Sequence, residues 1–348
     1  IRASARVTDQ RLQPVFCHGA PDAYLAPTMW IINAARSNMG TLLQTNRPYT
    51  NAAADTTLNH ATTARVFFQF FTTNPRGRPM VKKTSKSKQT ALITGASSGI
   101  GEALAGCFAA AGCDLILVAR SADKLKSLAK DLAAEHGVAV HVQPSDLSRP
   151  GAAEQLLEAL APKHSRVDVL VNCAGVLEQG AFTAIAPTSH QGIIDLNISG
   201  LTAMLSAFLP GMVERGAGRV LNVASIAAFQ PIPTLASYAA SKAYVLSLSE
   251  SLAEELRGTG VTVTALCPGV TATNMLTQAA GANDKLGQLP GFLVGDVQQV
   301  ADMAFAATMK GDAICVPGAI NQVAMIASRG TPKWLVRRIG GLLGRKAI

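Results

Sequence analysis

Thr90-Ala91-Leu92-Ile93-Thr94-Gly95-Ala96-Ser97-Ser98-Gly99-Ile100-Gly101 runs from a short apolar strand into three glycines, and a small-residue helix follows over 101–111. Gly95 permits a tight turn, Gly99 lets backbone approach a pyrophosphate, and Gly101 lets helix and sheet pack closely. Exposed N–H groups at the start of a helix favour phosphate charge. A lone glycine-rich turn is a weak signal, but this one lies between a strand and a helix, where a dinucleotide site needs it. Gly95, Ser97, Ser98, Gly99, Ile100 and Gly101 are therefore the candidate pyrophosphate contacts.

The same rhythm continues downstream. Strands are expected at 114–119, 138–143, 167–172, 219–223, 261–267 and near 313–316, with helices at 122–135, 151–161, 190–209 and 238–257. Strands alternating with helices of this length imply right-handed βαβ units and a parallel sheet covered on both faces.

The strand ends carry the candidate cofactor residues. At Ala119-Arg120 the carboxylate that bonds the ribose hydroxyls in NAD-selective folds is missing. Arg120 can instead pair with a 2′-phosphate through its planar fork, which points to NADP(H), with NAD(H) as the alternative. Asp146, followed by Leu147, can bond an adenine amino group or cap the next helix. The small residues of Asn172-Cys173-Ala174-Gly175 can let the chain pass under the adenine ribose.

Three polar residues then define a chemical centre. Ser225 follows the fifth strand, Tyr238 comes thirteen residues later, and Lys242 lies four further on, on the same helical face. A phenol ordinarily titrates near ~10. A nearby ammonium stabilises the phenolate and lowers that value, so that Tyr238 can exchange a proton with an alcohol. Ser225 can hold the substrate oxygen beside the phenol. Tyr-x-x-x-Lys alone is a common helix spacing; its weight comes from Ser225 and the glycine turn upstream.

Taken together, residues 90 to about 275 resemble the short-chain dehydrogenase/reductase family. The matching motifs are Thr94-Gly95-x-x-x-Gly99-x-Gly101, Asn172-x-Ala174-Gly175, Asn197, Ser225, Tyr238-x-x-x-Lys242 and Pro268-Gly269. The resemblance implies one α/β domain of Rossmann type, a doubly wound parallel sheet of about seven strands. It implies Tyr238 as acid/base, Lys242 as the residue that lowers its pKa and bonds the nicotinamide ribose, and Ser225 as the substrate-orienting residue. Asn197 would hold a water in a proton relay to Lys242, and Pro268, Gly269 and Thr271 would border the nicotinamide. Cys173 departs from the family pattern, which often has a second Asn there. The implied activity is hydride transfer between NADP(H) and a small-molecule carbonyl or alcohol, with homodimers or homotetramers formed through the long helices. A 3-oxoacyl thioester or a steroid- or retinoid-type compound is an alternative substrate, and a catalytically silent nucleotide sensor an alternative role.

The remaining sequence adds context. The chain has 348 residues, 48% of them hydrophobic, and a formal net charge of +9, a globular composition. Residues 1–79 hold eight Arg, three Asp, no Lys and no Glu. They are expected to be translated upstream sequence without selected structure, or else an Arg-rich organellar transit peptide. The domain is expected over 80–348, in the cytoplasm or, with a genuine transit peptide, in an organelle. No aromatic-interleaved basic motif suggests nucleic-acid binding. The six cysteines form no C-x-x-C pair and no metal-ligand spacing with His, so no metal is expected and buried free thiols are. No run of about 18 uninterrupted apolar residues suggests a transmembrane helix. Residues 271–295 read as a substrate-closing loop, with Leu276, Leu286, Leu289, Phe292 and Leu293 as apolar walls or core contacts. The tail 331–348 is basic and amphipathic, suited to a docked helix or to contact with an anionic membrane surface.

Overall fold

The computed structural model describes residues 88–161, 166–271 and 294–319, together with 321–323, 325 and 338. The expectations for residues 1–79, for the apolar residues of the substrate loop and for the tail, apart from the position of Arg338, lie outside these.

The described chain is a seven-stranded sheet of order β3-β2-β1-β4-β5-β6-β7, every neighbouring pair parallel. The strands are β1 (Thr90–Thr94), β2 (Asp114–Ala119), β3 (Val140–Pro144), β4 (Val169–Asn172), β5 (Gly218–Val223), β6 (Val261–Leu266) and β7 (Ile314–Cys315). The helices are α1 (Gly99–Ala110), α2 (Ala122–His136), α3 (Ala152–Leu160), α4 (Pro187–Ile194), α5 (Leu201–Glu214), α6 (Ala236–Glu255) and α7 (Val297–Lys310). This is the expected doubly wound α/β architecture.

The two-residue period of the strands explains why both faces are covered. Leu92, Ile116, Val118, Leu170, Val220 and Val263 meet Leu156, Met204, Phe208, Met212 and Val245 from α3, α5 and α6. Their chain neighbours Ile93, Leu115, Leu117, Val169, Val171 and Leu221 point the other way, to Leu104, Phe108, Leu125, Val300 and Ala304 from α1, α2 and α7. Fully burying such a side chain contributes ~1.5–3 kcal/mol, so a slip of one residue would exchange two apolar layers at once.

Three local features depart from the expectations. Helix α7 was not anticipated, although its ends carry clear signals: Asp296 caps its first turn by accepting from the Gln299 N–H, and Gly311 ends it at φ 80°. The expected single helix over 190–209 is α4, a π turn at Asp195–Gly200, and α5, a continuous 28-residue run from Pro187 to Glu214. Its most apolar window has a mean hydropathy of 1.5, enough by length and composition to cross a bilayer. Scattered Asn197, Ser199 and Thr202 hid this from a search for uninterrupted apolar runs. In the fold Leu201, Met204, Leu205, Phe208 and Met212 of this run are buried. Finally, Cys107 is not a buried thiol: it is half-exposed where α1 meets α7, with its Sγ 3.3 Å from the Asp302 carboxylate.

Candidate active site

The carboxyl ends of β1, β4, β5 and β6 open onto one crevice. Strand order reverses between β1 and β4, the position where open α/β sheets bind ligands. Gly95 adopts φ 66° and Gly99 φ 60°, both in the left-handed region that excludes most side chains. A Cβ on Gly95 would stand 2.9 Å from the Ala174 backbone. A Cβ on Gly101 would fall against the Gly95 carbonyl oxygen. Thr94 ties the two strand ends together, its Oγ1 accepting from the N–H groups of Cys173 and Ala174 at 3.0 and 3.1 Å. Ser98, the residue before α1, makes no side-chain capping bond. A backbone cradle without Cβ atoms, followed by a helix start without a side-chain cap, fits the pyrophosphate of a dinucleotide. Ser97 and Ile100 flank it; Ile100 also packs on the core.

At the end of β2, Arg120 is exposed. Hydrogen bonds from Ser148, assisted by the charges of Arg120 and Arg149, hold the Asp146 carboxyl below its usual range against the opposing effect of burial. The helix-cap alternative for Asp146 is corrected. Asp146 accepts from the Ser148 N–H and hydroxyl at 3.2 and 2.7 Å, a local turn, whereas the residue before α3 is Gly151. Leu147 and Asn172 line one small cavity with Thr94 and Ala174. Leu147 is buried in the core. Asn172 donates to the Asn222 Oδ1 at 2.9 Å, and Asn222 donates on to Ser249, a ladder joining β4, β5 and α6. The Asn172 Oδ1 itself is buried without a hydrogen-bond partner.

The chemical residues converge at the ends of β4 and β5 and the start of α6. Ser225 is buried, and its Oγ accepts from the Ala227 N–H at 3.1 Å. Its hydroxyl lies beside the half-buried Tyr238 phenol and favours the phenolate. Lys242 is buried, and its Nζ donates to the Val223 carbonyl at 2.8 Å. That Nζ lies 5.8 Å from the centroid of the Tyr238 ring. Asn197 makes three hydrogen bonds: it accepts from the Val176 N–H, donates to the Val176 carbonyl and donates to Ser241. One lone pair of its Oδ1 remains, and the π turn around it interrupts the regular helical ladder. A Cβ on Gly175 would lie 3.3 Å from Asn197 Oδ1 and 3.5 Å from Lys242 Nζ, so Gly175 lets the β4 loop pass over both.

Electrostatics at the centre differ from the expectation. Burial pushes the Tyr238 phenol above its ordinary value, and the Ser225 hydroxyl only partly opposes this. Lys242 is brought down to about 8, also by burial. Removing a phenolate from water costs more here than the surrounding donors return, so the expected lowering of Tyr238 is absent from this arrangement. Beyond β6, the buried Pro268 accepts from the Ile226 N–H at 2.9 Å. Thr271 is buried and donates to the Gly269 carbonyl at 3.0 Å. His190, which nothing in its sequence surroundings marks, bonds Ser237 next to Tyr238.

Comparison with known proteins supports this arrangement. The short chain dehydrogenase family profile matches residues 89–284. A 3-oxoacyl-[acyl-carrier-protein] reductase of Synechocystis is 34% identical over 63% of this chain and 88% of its own length. A short-chain dehydrogenase from Sphingobium yanoikuyae, solved in complex with NADPH, is 35% identical, with a TM-score of 0.63 over 69% of this chain and 93% of its own. An actinorhodin polyketide ketoreductase solved with NADPH is 30% identical, with a TM-score of 0.60 over 66% of this chain and 95% of its own. A glycine cradle at the strand-order switch, a Ser–Tyr–Lys cluster at the neighbouring strand ends and a family match across both mean that the chain belongs to the short-chain dehydrogenase family and is an oxidoreductase built on an NAD(P)-binding Rossmann fold.

Proposed function

We propose that this protein is an NADP(H)-dependent carbonyl reductase or alcohol dehydrogenase with Tyr238 as its acid/base. The observation that carries the reading is the buried Lys242 ammonium 5.8 Å from the Tyr238 ring, with the buried Ser225 hydroxyl beside the phenol. Bound in the glycine cradle, the nicotinamide cofactor supplies or accepts the hydride. Gly95, Gly99 and Gly101 make room for its pyrophosphate, and Arg120 offers a fork to a 2′-phosphate. Ser225 holds the substrate oxygen. Tyr238, raised above its ordinary value, is protonated at neutral pH and donates to the developing alkoxide during carbonyl reduction. Lys242 supports that transfer with positive charge while it stays protonated, which it does below about pH 8. Reduction therefore runs best near neutrality and weakens above pH 8, whereas alcohol oxidation, which needs the phenolate, gains as pH rises.

The similarity to a 3-oxoacyl thioester reductase and to a polyketide ketoreductase favours substrates whose carbonyl is carried on a larger, partly apolar molecule. The test is Tyr238→Phe, with NADPH oxidation followed over ketones, aldehydes and 3-oxoacyl thioesters. General acid catalysis is worth ~10²–10⁴-fold, and a loss of that size with NADPH affinity retained is the expected outcome. Turnover close to wild type in this variant defeats the assignment.

A further inference from the structure

The loop from β4 to α4 starts at Gly175, beside Lys242, and is fastened at three points. Asn197 clamps Val176 through both its N–H and its carbonyl. Gly180 donates its N–H to the Thr234 carbonyl at 2.9 Å, and Thr234 sits at φ 70°, an unusual conformation for a β-branched residue. The third point is His190 on α4. Its Nε2 is 3.0 Å from the Phe182 carbonyl oxygen and its Nδ1 is 2.8 Å from the Ser237 Oγ. Its ring also stacks on Phe182, with centroids 4.2 Å apart and planes at 25°. A carbonyl oxygen only accepts, so Nε2 carries the hydrogen; in the neutral ring Nδ1 then accepts from the Ser237 hydroxyl. One imidazole thus links the loop to the residue immediately before Tyr238. Phe182 itself is 60% exposed, one ring face covered by His190.

We propose that His190 is a positioning residue that holds Phe182 as a fixed aromatic wall at the substrate entrance, so that the enzyme selects carbonyl compounds carrying an aromatic or flat apolar flank. This rests on the carbonyl-reductase reading above. A rigid wall lowers the ordering required when substrate binds, and an exposed aromatic ring on a loop tied to the residue before Tyr238 offers its free face to a flat apolar group. The clamp acts on binding rather than on proton transfer, so its loss appears in KM.

The experiment pairs an aryl ketone with a small aliphatic ketone in wild type, His190→Ala, His190→Gln and Phe182→Ala, and follows amide hydrogen exchange of residues 176–186. His190→Ala is expected to raise KM for the aryl ketone at least fivefold, to lower kcat less than twofold, and to speed exchange of the loop. His190→Gln keeps an acceptor and a donor, and restores slow exchange and most of the KM. Phe182→Ala, at an exposed position, raises the aryl-ketone KM without needing His190 to change. Nitrogen-15 spectra of the wild type are expected to show a hydrogen on the His190 Nε2, facing the Phe182 carbonyl. Equal KM changes for both ketones, or loop exchange unchanged in His190→Ala, overturns the proposal. If wild type reduces no carbonyl at all, the activity reading fails, and loop exchange with the tautomer alone decides whether the clamp exists.

Discussion

Lys242→Met is expected to destroy turnover and yet make the protein more stable at neutral pH. The ammonium is buried, and burial brings its pKa from 10.5 to about 8. At 1.36 kcal/mol per pH unit, that gap is a penalty of about 3 kcal/mol when the group is charged in both folded and unfolded chains. The sign follows from proton counting. Below pH 8 both states are protonated and the whole penalty applies. Between about 8 and 10.5 the unfolded chain binds the proton that the folded chain has shed, so stability rises with pH. Above 10.5 both are neutral and the penalty is gone. Methionine fills similar volume without charge, but leaves the Val223 carbonyl without its donor, which costs about 1 kcal/mol. The net gain is about 2 kcal/mol at pH 7, or roughly 4–8 °C in Tm for a domain of this size. By pH 9.5 the wild-type penalty has fallen by about 2 kcal/mol and the gain has vanished. Urea unfolding of both proteins at pH 7 and 9.5 provides the measurement; a Tyr238→Phe background removes the phenol's own titration. A variant less stable than wild type at pH 7, or a gain independent of pH, refutes the reasoning: it would mean that the Lys242 ammonium is compensated within the fold.

Three further outcomes follow from the same geometry. Gly95→Ala places a Cβ 2.9 Å from the Ala174 backbone at φ 66°, where left-handed conformation alone costs about 1–2 kcal/mol; thermal unfolding and NADPH titration should show lower stability and at least tenfold weaker cofactor binding. Thr234→Gly relieves a β-branched residue at φ 70° and, after the greater chain entropy of glycine, gains about 0.5–1 kcal/mol in denaturant unfolding; a loss would show that the Thr234 side chain itself holds the loop. Arg120→Asp removes the candidate 2′-phosphate partner and adds a carboxylate at the end of β2, so the ratio of kcat/KM for NADPH over NADH should fall at least tenfold; an unchanged ratio would remove Arg120 from cofactor selection.

The cofactor end of the molecule was legible because its determinants are local. Strand, glycine turn and helix occupy twelve consecutive residues, and the positive φ angles at Gly95 and Gly99 realise the turn at the places where a side chain is absent. The alternation in Leu92 and Ile93, or Val220 and Leu221, assigns opposite faces to neighbouring residues before any partner is known. Spacing likewise put Tyr238 and Lys242 on one helical face. Which groups those residues meet depends on contacts between distant segments, which the sequence alone does not give. Asn172 and Leu147 stand at strand ends that line the crevice, but the packing of β5, α6 and the core draws their side chains inward. The π turn around Asn197 reflects one shifted backbone ladder, for which the long apolar helix carries no marker. The charge state of the centre was the largest reversal. A lysine four residues from a tyrosine predicts a lowered phenol, but that expectation assumes solvent around both groups. Tertiary structure removes the water, and desolvation then governs both titrations: Tyr238 moves up and Lys242 moves down.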